Sequence, residues 1–262
     1  MSNLGSRADF EADGYWVGPA LFSEEQVTEA RRHFDDVLEG RYDLERAPQG
    51  VNRFGDAMVK ISNAWWADSM IRDIVMHPHI SMIASVLLDA DELYLWADSL
   101  YWKKPNATGE QAMVGWHQDK QYWAASSSDK MITACVALYD ADDTTGGMRF
   151  IRGSNRWGLV GGSDALTADE NRREHGVPRA PLGLPCVEVC PRLRAGQVTF
   201  HHALTFHGSG LNLSPEPRRS ITIHMVSGEA RLTTAELSNP DFAGMLVGDA
   251  FRPPLFPRLW PL

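Results

Sequence analysis

The chain has 262 residues, 44% hydrophobic and 23% charged, with 25 Lys plus Arg against 34 Asp plus Glu and a net charge of −9. That balance suits a globule with a sizeable core and, lacking a basic block, argues against a nucleic-acid backbone or an anionic membrane as partner. Three cysteines without a Cys-x-x-Cys pair, no apolar leader in the first seven residues and no apolar run near the roughly 20 residues of a membrane span point to reduced thiols and a cytoplasmic location.

Ser23-Glu24-Glu25-Gln26 reads as an N-cap with an acidic first turn, opening a helix that runs through Val37-Leu38 to a stop at Gly40. Residues 40–60 are polar and irregular and read as a loop. Two further helices are expected, over 68–76 and, after His77-Pro78, over 80–88. From Leu93 the texture changes to short alternating or apolar runs. The expected strands cover 93–103, 113–118, 131–139, 148–152, 187–189, 197–201 and 220–226. Seven short strands after a helical prelude predict a mainly β protein, an antiparallel sandwich or jelly roll with helices packed on one sheet. The whole chain, 1–262, reads as a single domain: a helical prelude over 1–90, a core over 91–230 and a C-terminal extension over 231–262. Segment 157–185 exceeds ordinary connector length. It is either a lid or disordered, and its leucines favour a lid.

His117-Gln118-Asp119 carries the chemistry. In an extended segment residues i and i+2 share a side, so His117 and Asp119 aim at one point while Gln118 faces away. A second histidine from a distant strand would complete two imidazoles and one carboxylate on one face of a metal, leaving positions open as in non-haem iron oxygenases. His201, His202 and His207 compete for that place. His207 is preferred because the small residues Gly208-Ser209-Gly210 follow it. Alternation in 218–226 puts Arg218, Ser220, Thr222 and His224 on one face and Arg219, Ile221, Ile223 and Met225 on the other. Arg218 would then point into a wet cavity, where its fork suits a carboxylate. In the same way Thr133, Cys135 and Ala137 form a small face able to line a pocket. Trp116, Tyr122 and Trp123 gather around the His-x-Asp, and the latter two are the better substrate candidates.

Together these residues resemble the phytanoyl-CoA dioxygenase family of Fe(II)/2-oxoglutarate oxygenases. The resemblance rests on Trp116-His117-Gln118-Asp119 with Tyr122-Trp123, Gly146-Gly147-Met148 through Gly153-Ser154, Ala195-Gly196-Gln197-Val198, and His207-Gly208-Ser209-Gly210 with Asn212, Ser214 and Arg218. Phe10 to Val17 adds an N-terminal signature. The resemblance implies a double-stranded β-helix, a cupin-like jelly roll, with N-terminal helices on the major sheet. It implies iron held by His117, Asp119 and His207, and 2-oxoglutarate held by Arg218 and Ser209. Cys135, Thr133, Leu100 and Trp102 come from strands that line the cosubstrate pocket in relatives. Where many relatives read Pro-Gly-Ser-His, this chain reads Arg152-Gly153-Ser154-Asn155, a change in a turn.

The implied reaction consumes O2 and 2-oxoglutarate, releases succinate and CO2, and oxidises a bound substrate by hydroxylation, epimerisation, desaturation or cyclisation. Halogenating cousins carry a small residue in place of the carboxylate, so Asp119 implies oxygen chemistry. Trp102, Tyr122 and Trp123, with no basic entrance for a CoA phosphate, point to a small or medium organic molecule, with secondary metabolism as the expected setting. Two alternatives stay open: a cupin-like metal isomerase or hydrolase that does not use 2-oxoglutarate, and a non-catalytic ligand-binding jelly roll. Oligomeric state is not readable.

Overall fold

The computed structural model describes residues 7–160, 180–181, 183–234, 242 and 244–261. In chain order the elements are α1 (Arg7–Asp13), β1 (Tyr15–Ala20), α2 (Glu24–Leu38), β2 (Gly50–Phe54), β3 (Met58–Ser62), α3 (Ser69–Val75), α4 (Pro78–Leu88), β4 (Leu93–Lys103), β5 (Val114–His117) and α5 (Asp119–Tyr122). There follow β6 (Met131–Ala137), β7 (Met148–Ile151), β8 (Glu188–Val189), β9 (Gln197–His202), β10 (His207–Ser209), β11 (Arg218–Ser227) and β12 (Arg258–Trp260).

Two antiparallel sheets face each other. The larger has the order β1-β9-β6-β11-β4-β3-β2, with β12 paired to β4, and the smaller runs β5-β10-β7-β8. Sequence neighbours are seldom sheet neighbours, as in a jelly roll, and all the pairings are antiparallel. Along β11 the register aligns Arg218 with Lys103, Ser220 with Tyr101 and Ala137, Thr222 with Ser99 and Cys135, and His224 with Ala97 and Thr133. These rows form the inner floor of the sandwich. The residues between them, Ile221, Ile223 and Met225, join Ile132, Ala134, Val136 and Leu100 in the core on the opposite face.

That opposite face is covered by the helices. Ser23 caps α2 through a reciprocal capping box with Gln26, and Val27, Ala30, Phe34 and Val37 form its buried stripe. Asp68 caps α3 by accepting from the Ile71 N–H at 2.9 Å, and Pro78 opens α4. Arg219 clamps α2 to the sheet with bonds of 2.7 and 2.9 Å to Asp35. Ser69–Leu88 is, by length and composition only, apolar enough to cross a membrane. In the fold α3 and α4 are separate helices whose Ile71, Ile74, Val75, Ile80, Ile83 and Leu87 lie in the core.

The hairpin β2–β3 replaces the loop expected over 40–60. Its outer strand β2 is an exposed edge with little apolar pattern, and β3 is fixed by its pairing with β4 rather than by its own sequence. Strands β1, β10 and β12 were likewise not anticipated. The chain's last part returns to the sheet through β12, and Phe242, Phe251 and Phe256 pack with Trp96 and Trp123 in a second apolar cluster. Most of the expected lid, residues 161–179 and 182, lies outside the described residues.

Candidate active site

The site lies between the sheets, where β5 and β10 bring two histidines together. His117 and His207 are cross-strand partners with ring centroids 4.1 Å apart. A bulge beside them, with Gly115 and Trp116 of β5 opposite Gly208 of β10, breaks the regular pairing. Gly208 is needed there, because a Cβ on it would stand 2.8 Å from the Val114 carbonyl oxygen. Directly after β5 the chain turns into α5, with Gln118 as its N-cap and Asp119 as its first residue.

Each imidazole is oriented by its own backbone. His117 Nδ1 lies 2.8 Å from the Gly115 carbonyl, and His207 Nδ1 lies 2.9 Å from the Thr205 carbonyl. A carbonyl can only accept, so both Nδ1 atoms carry the proton and both Nε2 atoms offer a lone pair. Those Nε2 atoms stand 3.7 and 3.5 Å from Asp119 Oδ1. One ligand atom from each of His117, Asp119 and His207 lies within 4.8 Å of the others, close enough for one ion to touch all three. Burial and the neighbouring His117 and His201 push the His207 pKa well down, which keeps its lone pair free. For Asp119 burial acts upward, but the surrounding imidazoles outweigh it and hold the carboxyl well below its usual range. Two neutral imidazoles and a carboxylate are a donor set that fits ferrous iron and leaves the opposite face open.

The other oxygen of Asp119 is occupied by protein. Oδ2 accepts a 2.6 Å bond from the Thr133 hydroxyl and lies 3.2 Å from His201 Nε2. Thr133 also meets His224 Nδ1 at 2.9 Å. Gln118, fully buried, donates to the carbonyls of Gly158 and Leu204 at 2.8 and 2.7 Å and accepts from the Val160 N–H at 2.8 Å. The residue between the two candidate ligands therefore ties the stretches at 158–160 and 204 to the site.

A cavity extends from these groups along the inner floor of the large sheet. His117, Asp119, Thr133, His201, His207 and His224 line one end, while Tyr101, Ser209, Ser220, Thr222 and Arg218 continue the wall. Arg218 is 7% exposed and, among the described residues, makes no hydrogen bond or ion pair. Burial lowers its pKa without a carboxylate to offset that effect. Beside it the fully buried Lys103 donates to Ser209 Oγ at 2.7 Å and to the Gly210 carbonyl at 2.6 Å. The Lys103 pKa is pushed well down by burial and by nearby Arg218 and Arg149. Two buried basic side chains without an acidic partner among the described residues make this end of the cavity a receptor for a carboxylate.

Several sequence-based assignments fall elsewhere. Leu100 and Trp102 do not line the cavity. Strand parity turns them to the helix-covered face, Leu100 fully buried in the core and Trp102 packed against it, and gives the cavity Tyr101 instead. Trp123 is buried in the second aromatic cluster, its ring centroid 5.0 Å from that of His224, and lines a separate cavity bounded by Trp96, Lys60 and Asn63. Trp116 is partly buried and is not among the residues lining either cavity. Tyr122 is 56% exposed and stands edge-on to His117 at 5.4 Å. Cys135 is buried on the inner floor, its thiol pKa raised by burial. Lys103 and Tyr101 were not anticipated, although Ser99, Tyr101 and Lys103 alternate in step with Thr222, Ser220 and Arg218 opposite them. A second group with metal-ligand spacing, His33, Asp43 and Asp68, is already engaged in starting α3: Asp68 caps it and Asp43 accepts from the Ser69 N–H and hydroxyl.

The profile described as "Phytanoyl-CoA dioxygenase (PhyH)" matches residues 10–220. An ectoine dioxygenase of Bordetella bronchiseptica is 25% identical over 224 residues, covering 81% of this chain and 71% of that protein. An ectoine dioxygenase of Nocardia farcinica is 24% identical over 255 residues, covering 90% and 82%. Among solved structures, the carbocyclase SnoK from nogalamycin biosynthesis superposes with a TM-score of 0.76 at 23% identity, covering 97% of this chain and 95% of that one. The epimerase SnoN from the same biosynthesis gives 0.73 at 24% identity, with 97% and 96% covered. Both share the fold described above. The chain belongs to the phytanoyl-CoA dioxygenase family and is an Fe(II)- and 2-oxoglutarate-dependent dioxygenase.

Proposed function

We propose that this dioxygenase oxidises a small or medium-sized organic metabolite, with His117, Asp119 and His207 holding iron and Arg218 holding the far carboxylate of 2-oxoglutarate. The observation that carries the reading is Arg218: a buried guanidinium without an acidic partner at one end of a cavity whose other end carries three convergent metal donors. A metal isomerase or hydrolase would have no use for that cation, whereas a five-carbon keto diacid has a carboxylate for each end.

With iron bound, the metal and cosubstrate would supply the oxidising chemistry, consuming O2 and releasing succinate and CO2. The chain's own residues do the rest. The two carbonyl-anchored imidazoles and Asp119 Oδ1 set one face of the centre. Ser209, held by Lys103, and Arg218 would fix the cosubstrate's length and direction, with Thr222 and Ser220 along its path. Tyr122, edge-on to His117 at the outer rim, stands where a substrate would approach. Relatives named for ectoine and structures from nogalamycin biosynthesis support two classes to test first, small zwitterionic solutes and polycyclic natural products.

The test is succinate formation by iron-loaded protein against a panel of both classes, with product mass as the second readout. Succinate release that depends on iron and 2-oxoglutarate and rises with one panel member supports the reading. Turnover of substrate without 2-oxoglutarate would replace it with the isomerase or hydrolase alternative.

A further inference from the structure

We propose that His201 is a positioning residue for the metal centre: together with Thr133 it pins Oδ2 of Asp119, so that this ligand presents a single oxygen, Oδ1, to the ion. The proposal rests on the iron-binding role given above to Asp119.

The geometry divides the carboxylate in two. Oδ1 faces the Nε2 atoms of His117 and His207 at 3.7 and 3.5 Å. Oδ2 faces away, 2.6 Å from the Thr133 hydroxyl and 3.2 Å from His201 Nε2. Strand register sets the clamp. Thr133 and His201 are cross-strand partners on β6 and β9, so both side chains rise from one row of the sheet floor beneath Asp119. With Oδ2 held by two donors, the carboxylate cannot swing to grip an ion through both oxygens. Three single-atom donors from the chain would leave room at a bound iron for a keto acid and O2.

His201 itself is hard to explain as a stabilising residue. It is fully buried, Asp119 Oδ2 is its sole hydrogen-bond partner among the described residues, and its Nδ1 is buried with no partner. A buried nitrogen without a partner costs stability. The ring lies among aromatic neighbours, 5.4 Å from Phe150 and 4.2 Å from His207. A phenylalanine would keep an aromatic ring among these neighbours without stranding a polar atom. Keeping an imidazole there gives up stability for one contact, and that contact is to the carboxylate ligand.

The experiment compares His201→Phe, His201→Gln and wild-type protein, first as apoprotein and then in anaerobic Fe(II) titrations. His201→Phe is expected to melt at or above wild-type apoprotein. Its Fe(II) dissociation constant is expected to rise about 10–100-fold, the range seen when a supporting group of a metal ligand is removed. His201→Gln keeps an N–H donor near Oδ2 and is expected to stay near wild-type affinity. Thr133→Val, which removes the other donor to the same oxygen, should weaken iron binding as His201→Phe does. An unchanged Fe(II) dissociation constant in His201→Phe overturns the proposal. So does a His201→Phe apoprotein that fails to fold or melts well below wild type, because His201 would then serve the core. Wild-type protein that binds no iron at all would overturn the functional reading, and this proposal with it.

Discussion

Arg218 on β11 and Lys103 on β4 are cross-strand partners: two buried cations side by side, with no carboxylate facing either among the described residues. Lys103 spends its donors on Ser209 and Gly210, whereas Arg218 keeps its fork free toward the cavity. Such a pair is unfavourable in an empty site and becomes favourable when a dicarboxylate enters.

Arg218→Ala is therefore expected to weaken 2-oxoglutarate binding by roughly 100-fold, the loss of a bidentate charge-assisted contact of about 3 kcal/mol. Iron content should stay at the wild-type level. Anaerobic cosubstrate titration of the iron-loaded variant measures both, and normal 2-oxoglutarate affinity would remove Arg218 from the site.

Alanine at His117, Asp119 or His207 should reduce iron affinity by more than the roughly 10–100-fold that loss of a merely supporting group costs. The apoproteins should still fold, since the His117 and His207 rings are anchored to backbone carbonyls two residues away and do not join elements. Metal analysis after dialysis, with circular dichroism as the folding control, makes the comparison.

Gln118→Leu leaves the carbonyls of Gly158 and Leu204 and the Val160 N–H without their partner. A loss of about 2–4 kcal/mol is expected, lowering the melting temperature by roughly 5–10 °C. Because the same side chain braces residues 158–160 against α5, limited proteolysis near Val160 should also accelerate.

His202 gives the apoprotein an acid limit. Burial, with smaller contributions from His201 and Lys120, lowers its pKa to about 4. The unfolded chain takes up a proton near the ordinary value of about 6.5, the folded one only near 4. The stabilisation from keeping His202 neutral is thus complete above about pH 6.5 and is lost as pH falls toward 4. It amounts to at most about 3 kcal/mol. His202→Asn, which preserves an acceptor for the Leu204 N–H, should flatten the fall in apoprotein stability across that window in denaturant titrations.

Leu100→Ala and Tyr101→Ala separate the two faces of β4. The first should cost about 2–5 kcal/mol of stability and leave cosubstrate affinity alone. The second should do the reverse. Reduced 2-oxoglutarate binding in Leu100→Ala at normal stability would restore the sequence-based assignment of that residue.

How far the sequence could be read depended on whether a segment's own residues decided its structure. The N-cap at Ser23, the helix start near Asp68, the helix after His77-Pro78 and the strand 93–103 are local signals and are legible from the chain. So was the alternation that sends Arg218 inward and Arg219 to Asp35. The hairpin β2–β3 is not legible because its strand character comes from pairing with β4, and β10 is not because three residues have no period to detect. Leu100 and Trp102 were turned the wrong way because β4 has aromatic or apolar residues on both faces. Its parity is settled only by the polar row Ser99, Tyr101 and Lys103 lying opposite Thr222, Ser220 and Arg218. The sequence offers His201 as a competing metal ligand; its contact with Asp119 depends on the register between β6 and β9, which no single segment reveals.

The two-sided role of β11 has a practical reading. A saturation library across Arg218–Ser227 should sort with a two-residue rhythm. Hits at Ile221, Ile223 and Met225 would vanish from the soluble fraction, because those side chains are the seam between sheet and helices. Hits at Arg218, Ser220 and Thr222 would express at full yield and fail at turnover. A strand that serves both as foundation and as workbench lets expression level alone report which job each position does.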